Sequence, residues 1–344
     1  MSSPKKIAFG ILKITLSALL ITYLVYSAYT HDQFDVLWQG GVNPTRYLAA
    51  LALSLLALLI TFVRWYFLVH GLGLPIRIWD AIRFGFVGYF FNFVTVGTVG
   101  GDALRAYFVA QKNPDRRTEA IATVVVDRLI GLVALFTLTG IVLMCLDLNR
   151  LCGDDLTTLS VLETCRWVSV SCGGAGVGLL AILCFFRAFF DWGIWSKLFE
   201  LPWVGPITRQ LHGAGVTYSR RPSIVFGAYL ASLPVHAINS IAVFVVASSL
   251  PIAHPSLLMH LVAVPLSSLA GVLPLPGGIG AFEGMLAILY RALATTPIAS
   301  EHGLLVAFGF RVITLIAASI GLVVYFAERK EIAQLRADSE ASSE

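Results

Sequence analysis

Charge is what this sequence has least of. Asp, Glu, Lys and Arg make up 13% of its 344 residues, about half of the roughly 25% found in soluble globular chains. The shortage is uneven. No charged residue occurs in Ile14–Thr30, Tyr47–Val63, Leu129–Leu146 or Trp167–Phe186, and residues 222–282 run for 61 positions without one. A buried soluble helix needs about 10–14 apolar residues and a bilayer span about 20, so runs this long exclude an ordinary soluble domain. Cysteine is scarce as well. Cys145, Cys172 and Cys184 lie in or near apolar runs, and Cys152 and Cys165 flank a loop where a disulfide is one option. The seven histidines have no ligand-like spacing, so no metal is expected. Neither GxxxxGK(S/T) nor a strand-borne GxGxxG is present, and no cofactor is implied. The net charge of +4 is too small and too scattered to suggest a nucleic-acid partner.

What is present is a series of apolar segments. Six can cross a bilayer as helices: about 8–29, 47–69, 120–145, 167–189, 222–248 and 303–327. The first is too long for a signal-peptide core and reads as an uncleaved span. Two further apolar regions, 84–101 and 257–282, end in glycines, and the second contains Pro265, Pro274 and Pro276. Such breaks release backbone N–H and C=O groups that must face protein, water or ligand rather than lipid. Basic residues flank 84–101 on both sides: Arg64, Arg77 and Arg83 before it, Lys112, Arg116 and Arg117 after. By the positive-inside rule both flanks are cytoplasmic, so this region dips into the membrane and returns.

Lys5, Lys6 and Lys13 place the N-terminus inside, and Arg329 and Lys330 place the C-terminus there too. The loop with Asp147, Asp154, Asp155 and Glu163 falls outside. The expected fold is therefore an all-α polytopic bundle of six spans and two oppositely oriented re-entrant helix pairs, arranged as an inverted repeat. A plain eight-span bundle is the alternative. Residues 1–330 form one membrane domain with halves 7–146 and 167–327, followed by a polar cytoplasmic tail, 331–344. Trp192, Trp195 and Trp203 with Arg187, Lys197 and Arg209 suit an interfacial loop or short helix.

Two motifs carry the candidate chemistry. Gly97-Thr98-Val99-Gly100-Gly101-Asp102 precedes Arg105; the glycines allow close backbone approach, Asp102 is placed to cap a new helix, and Arg105 to meet a phosphate or snorkel to the interface. Pro276-Gly277-Gly278-Ile279-Gly280 precedes Glu283, whose expected opposite charge is Arg311. A buried Glu283 must pair, hydrogen-bond or take up a proton. Arg64 either snorkels or contacts a headgroup. Asp127 and Arg128 are adjacent, so they point about 100° apart on a helix; Glu119 or Lys112 near the interface is the expected partner of one of them. Asn92 and Asn239 suit helix–helix hydrogen bonds.

At these motifs the chain resembles the lysylphosphatidylglycerol synthase transmembrane family, also called flippase-like or UPF0104 proteins. The resemblance spans about residues 7–327 and is carried by Gly100-Gly101-Asp102 with Arg105, Val126-Asp127-Arg128, and Pro276-Gly277-Gly278-Ile279-Gly280 with Glu283. It implies a plasma-membrane module, of bacterial or archaeal type, that moves a lipid between leaflets. Its partners would be phosphate-bearing or modified-headgroup lipids, with a lipid-biosynthesis enzyme as a further possible partner. Together with Arg64 and Arg311, singled out by their charge, the motif residues Gly100, Gly101, Asp102, Arg105, Asp127, Arg128, Gly277, Gly278, Gly280 and Glu283 make up the expected substrate-binding set, with no catalytic residue. Synthase activity is not expected, because no room remains after residue 327 for an aminoacyl-transfer domain. The alternatives are a membrane glycosyl- or phospholipid-transferase using Asp102 or Glu283 as base, and a noncatalytic partner of a lipid-pathway enzyme.

Overall fold

Hydrocarbon offers backbone groups no partners, so an apolar chain of this length closes its hydrogen bonds within helices. In a computed structural model the described residues are 41–94, 99–153, 155–185, 191, 193–200, 205–270, 280–293 and 302–327, and they are helical with short connections. In chain order the helices are α1 (Pro44–Gly71), α2 (Ile78–Val94), α3 (Val99–Lys112), α4 (Arg117–Cys145), α5 (Leu148–Cys152), α6 (Leu156–Phe185), α7 (Ile194–Phe199), α8 (Gly205–Tyr218), α9 (Pro222–Ser249), α10 (Leu257–Ala270), α11 (Ala281–Leu293) and α12 (Gly303–Ala327). Five of the described helices, α1, α4, α6, α9 and α12, are long and apolar enough to cross a membrane. The expected span at 8–29 and the tail at 331–344 lie outside the described residues, as do Arg187, Trp192 and Trp203.

Local chemistry sets the helix starts. The Asn43 side chain accepts the Arg46 N–H at 3.2 Å, and Pro44 opens α1 where its missing N–H costs nothing. Asp155 accepts from the N–H groups of Thr157 and Thr158, which starts α6 eleven residues before the expected boundary and places Glu163 in a helix rather than a loop. Cys165 is carried on α6 as well, and both it and Cys152 are free thiols. Pro265 does not break α10, nor does Pro234 break α9; neighbouring helices shield the backbone groups such prolines release. Several hydroxyls inside the spans return to carbonyls one turn back, as in Thr61 to Ala57, Thr139 to Leu135 and Ser232 to Ala228, so these three are not stranded in an apolar setting.

The core divides into two apolar clusters at opposite ends of the bundle. One gathers Trp65, Leu68 and Val69 from late α1, Ala120, Ala122 and Val124 from early α4, and Val225, Ala228 and Tyr229 from early α9. The other gathers Ala50 from early α1, Val142 and Leu143 from late α4, Val243, Val246 and Ala247 from late α9, and Leu305–Ala307 from early α12. Helices α1 and α9 are therefore antiparallel. Asn43 N–H meets Ser249 O at 2.8 Å at one end, and Tyr218 OH donates to Leu68 O at 2.9 Å at the other. Helices α4 and α12 oppose each other in the same way.

The two short pairs behave as hairpins. Early α2 and late α3 both join the first cluster, with Lys112 of α3 on Asp80 of α2 at 2.8 Å. Helices α10 and α11 both join the second. The packing partners of α1–α4 are reproduced by α9–α12: α2 lies on α12 as α10 lies on α4, and α4 lies on α9 as α12 lies on α1.

Within the second cluster His260 and Tyr290 form a fully buried pair. His260 Nδ1 lies 2.9 Å from the Ser256 carbonyl, which fixes its proton there, so Nε2 accepts from Tyr290 OH at 2.5 Å. Replacing Tyr290 by Phe strands that nitrogen. A stability loss of about 1–3 kcal/mol is expected, read as a lowered midpoint of unfolding in detergent.

Candidate functional site

Between the two clusters lies a cavity of about 510 Å³, walled by α1, α2, α4, α9, α10 and α12, with Arg105 of α3 and Phe282 of α11 closing its sides. Its position follows from the helix lengths. Asp127 lies ten residues into α4 and Arg311 eight into α12, or about 15 and 12 Å from the opposed ends of those spans at 1.5 Å per residue. In a hydrocarbon core about 30 Å thick both reach the middle third.

One wall is a charge network. Arg64 donates through Nε to Asp127 Oδ1 at 2.9 Å and through another nitrogen to Ser232 Oγ at 2.5 Å. Arg105 reaches the other Asp127 oxygen at 3.4 Å and Asp102 at 3.5 Å, and its guanidinium stacks 4.2 Å over the Trp65 ring. Arg128 holds both Asp102 oxygens in a fork, at 2.5 and 2.9 Å. Arg64, Arg105 and Asp127 are buried, the last at 1% exposure. A carboxylate this deep is stable only because two guanidinium groups surround it. Arg128 is half-exposed where it borders the cavity.

Glycine makes the network possible. A Cβ on Gly101 would lie 1.9 Å from the Gly88 carbonyl oxygen and 2.4 Å from Asn92 Oδ1. Helices α2 and α3 touch through backbone there, and Asn92 accepts the otherwise unpaired Gly101 N–H at 3.1 Å. The contact brings Asp102 and Arg105 against α4.

Across the cavity, Glu283 lies in the first turn of α11 as Asp102 lies in the first turn of α3. Arg311 contacts Glu283 Oε1 through Nε and a terminal nitrogen at 2.5 Å, while Oε2 accepts the Gly280 N–H at 2.7 Å. Gly280 sits at φ 92°, a left-handed conformation that glycine adopts without strain. The start of α3 is thus joined to α4, and the start of α11 to α12, by an arginine–carboxylate pair.

These placements revise several sequence-based expectations. Arg64 does not snorkel, and Arg105 is buried in the bundle rather than at an interface. Asp102 lies in the first turn of α3 but directs its oxygens to Arg128 and Arg105, and Asn92 supplies the cap instead. Glu119 pairs with Arg116 and Lys112 with Asp80. Asp127 and Arg128 both turn into the bundle, because α3 and α1 contact α4 on adjoining faces and 100° of rotation spans both. Gly100, Gly101, Asp102 and Arg105 come together with Arg64, Asp127 and Arg128, and Gly280, Glu283 and Arg311 gather separately. Gly277 and Gly278 lie outside the described residues.

The cavity also has Tyr89, Asn92, His236, Asn239, Ser268 and Thr314 on its walls. Ser232 and His236 were not singled out from the sequence, although a signal was there. Ser232, His236 and Asn239 are spaced i, i+4, i+7 along the uncharged run, which puts them on one helix face. His236 Nε2 lies 2.9 Å from the Gly131 carbonyl and so carries its proton there.

The family model described as Lysylphosphatidylglycerol synthase TM region matches residues 10–321. No curated protein matches the chain.

Proposed function

We infer that this chain, which belongs to the Lysylphosphatidylglycerol synthase TM region family, moves a phosphate-bearing lipid between the leaflets of a membrane. The observation that carries the reading is the central cavity, where Arg64, Arg105, Arg128 and Arg311 border one space of about 510 Å³ inside an otherwise apolar bundle. Leu56, Phe67, Leu129, Ile141, Val323 and Phe326 stay exposed on its outer surface, as lipid contact requires. A headgroup enters the cavity and its phosphate meets the guanidinium groups, while the acyl chains remain in the bilayer.

Opposed hairpins give a route between leaflets. The antiparallel α1/α9 and α4/α12 relations and the matching packing support an inverted repeat of halves 7–146 and 167–327 in one membrane domain. On this reading α2–α3 enters from the cytoplasmic face and α10–α11 from the outer face. Six spans cross a plasma membrane and both termini are cytoplasmic. Asp102–Arg128 ties one hairpin to its last span and Glu283–Arg311 ties the other, so that loosening one pair at a time opens the cavity to one leaflet at a time.

The transferase alternative has less support, since Asp102 and Glu283 both direct their oxygens to guanidinium groups rather than standing free to accept a proton. A noncatalytic partner would co-purify with a lipid enzyme and show no transfer alone. A leaflet-resolved lipid assay in proteoliposomes separates these readings. Wild-type protein is expected to redistribute lipid without altering it. Arg105→Ala and Glu283→Gln are each expected to slow transfer at least tenfold in properly folded protein. Chemically altered lipid would support the transferase, and unchanged transfer by both variants would remove the roles given to those side chains.

A further inference from the structure

We propose that the headgroup this cavity accepts carries a single net negative charge, on a phosphodiester, and no cationic substituent; this rests on the translocase reading of the same cavity. Four arginines border the space. The carboxylates that face them are Asp127, in the wall, with Asp102 and Glu283 just behind it. Among the described residues, four positive groups against three negative ones leave one positive charge. Inside a low-dielectric bundle an uncompensated charge is costly, so the bound state is stabilised by one anion and opposed by a cation.

The excess is centred on Arg105. Its two ionic contacts, at 3.4 and 3.5 Å, are the longest in the network, and its Nε is a buried donor with no hydrogen-bond partner. The residue is more than nine-tenths buried and borders the cavity. Ser54 Oγ, also in the cavity wall, is a second buried polar atom without a partner. Native interiors rarely leave such groups unpaired. A phosphodiester supplies the missing acceptors in its two anionic oxygens, and a planar guanidinium suits them.

A cationic headgroup has no counterpart. Asp127 is taken by Arg64 and Arg105, Asp102 by Arg128 and Arg105, and Glu283 by Arg311 and the Gly280 N–H. An ammonium placed beside any of them would also lie beside a guanidinium. The remaining polar wall, Tyr89, Asn92, His236 and Asn239 among others, is uncharged and suited to hydroxyl groups. Because the carboxylates stay committed, a headgroup amine meets no free counter-charge, and it is the presence or absence of that amine that distinguishes one phosphodiester lipid from another here.

Binding to the full chain in a neutral detergent tests this. The probes are dihexanoyl phosphatidylglycerol, dihexanoyl phosphatidylcholine, dihexanoyl lysylphosphatidylglycerol and deacylated glycerophosphoglycerol. The first is expected to bind at least tenfold more tightly than each of the other three. Equal affinity across headgroups, or preference for the lysylated lipid, would overturn the charge rule. Glycerophosphoglycerol matching its diacyl form would make the ligand a soluble phosphodiester and overturn the lipid assignment. Arg105→Lys keeps the charge but loses the planar fork, and it is expected to shrink the tenfold preference to threefold or less. An undiminished preference would remove Arg105 as the anchor. Should that variant not fold, the wild-type ratios still decide. Selective binding without movement between leaflets would defeat the translocase reading and leave the charge rule standing.

Discussion

Asp127→Asn is expected to lower stability by about 3–5 kcal/mol and to abolish lipid transfer in whatever protein folds. The substitution preserves shape and removes only the charge. Asp127 is held by Arg64 at 2.9 Å and by Arg105 at 3.4 Å, and all three residues are buried. Without the carboxylate, two guanidinium groups face each other across an amide with no counter-charge between them. Breaking a buried pair from one side costs more than the pair contributes, because the orphaned charge stays behind. Removing a second charge should reverse part of the damage. Asp127→Asn with Arg105→Gln is expected to regain a measurable fraction of the lost stability while transfer stays absent. Unfolding midpoints in detergent and transfer in proteoliposomes, taken on the same preparations, give both quantities. A wild-type midpoint for Asp127→Asn would show that the network does not support the bundle as described.

Gly101→Ala is expected to be comparably damaging for a steric reason. The added methyl would sit 1.9 Å from the Gly88 carbonyl oxygen, and a backbone oxygen within a helix cannot step aside as a side chain can. Helices α2 and α3 would have to separate, taking the Asn92 cap from the Gly101 N–H and drawing Asp102 and Arg105 away from α4. Overpacking alone costs about 1–3 kcal/mol, occasionally more, and the displaced ion pairs add to it. Gly174→Ala on α6 is the matched control, since nothing lies within 4 Å of its Cβ position. The control should retain wild-type stability and transfer. Equal behaviour of the two variants would contradict the close helix contact.

How much could be read in advance differs from residue to residue. Five of the six expected spans coincide with long helices, while the first lies outside the described residues. Glu283 and Arg311 were legible as a pair because Glu283 ends a long uncharged run and leaves few candidates. Arg64 and Asp127 were not, being 63 positions apart. Arg105 and Arg128 were ambiguous for another reason. Each lies within a few turns of a helix end, where a long aliphatic stem can carry its charge either to water or into the bundle.

The sequence by itself determined that the chain lives in a membrane and, for five of its spans, roughly where the long helices run. Hydropathy and backbone satisfaction act along the chain and need no knowledge of neighbours. Tertiary structure alone decided which arginine meets which carboxylate, and that Asp102 and Glu283, each in the first turn of a short helix, both pair with an arginine of a long span. Those outcomes depend on the rotation of each helix about its axis and on what packs against it, and electrostatic energy in a low-dielectric interior depends on distances across helices rather than on spacing along one.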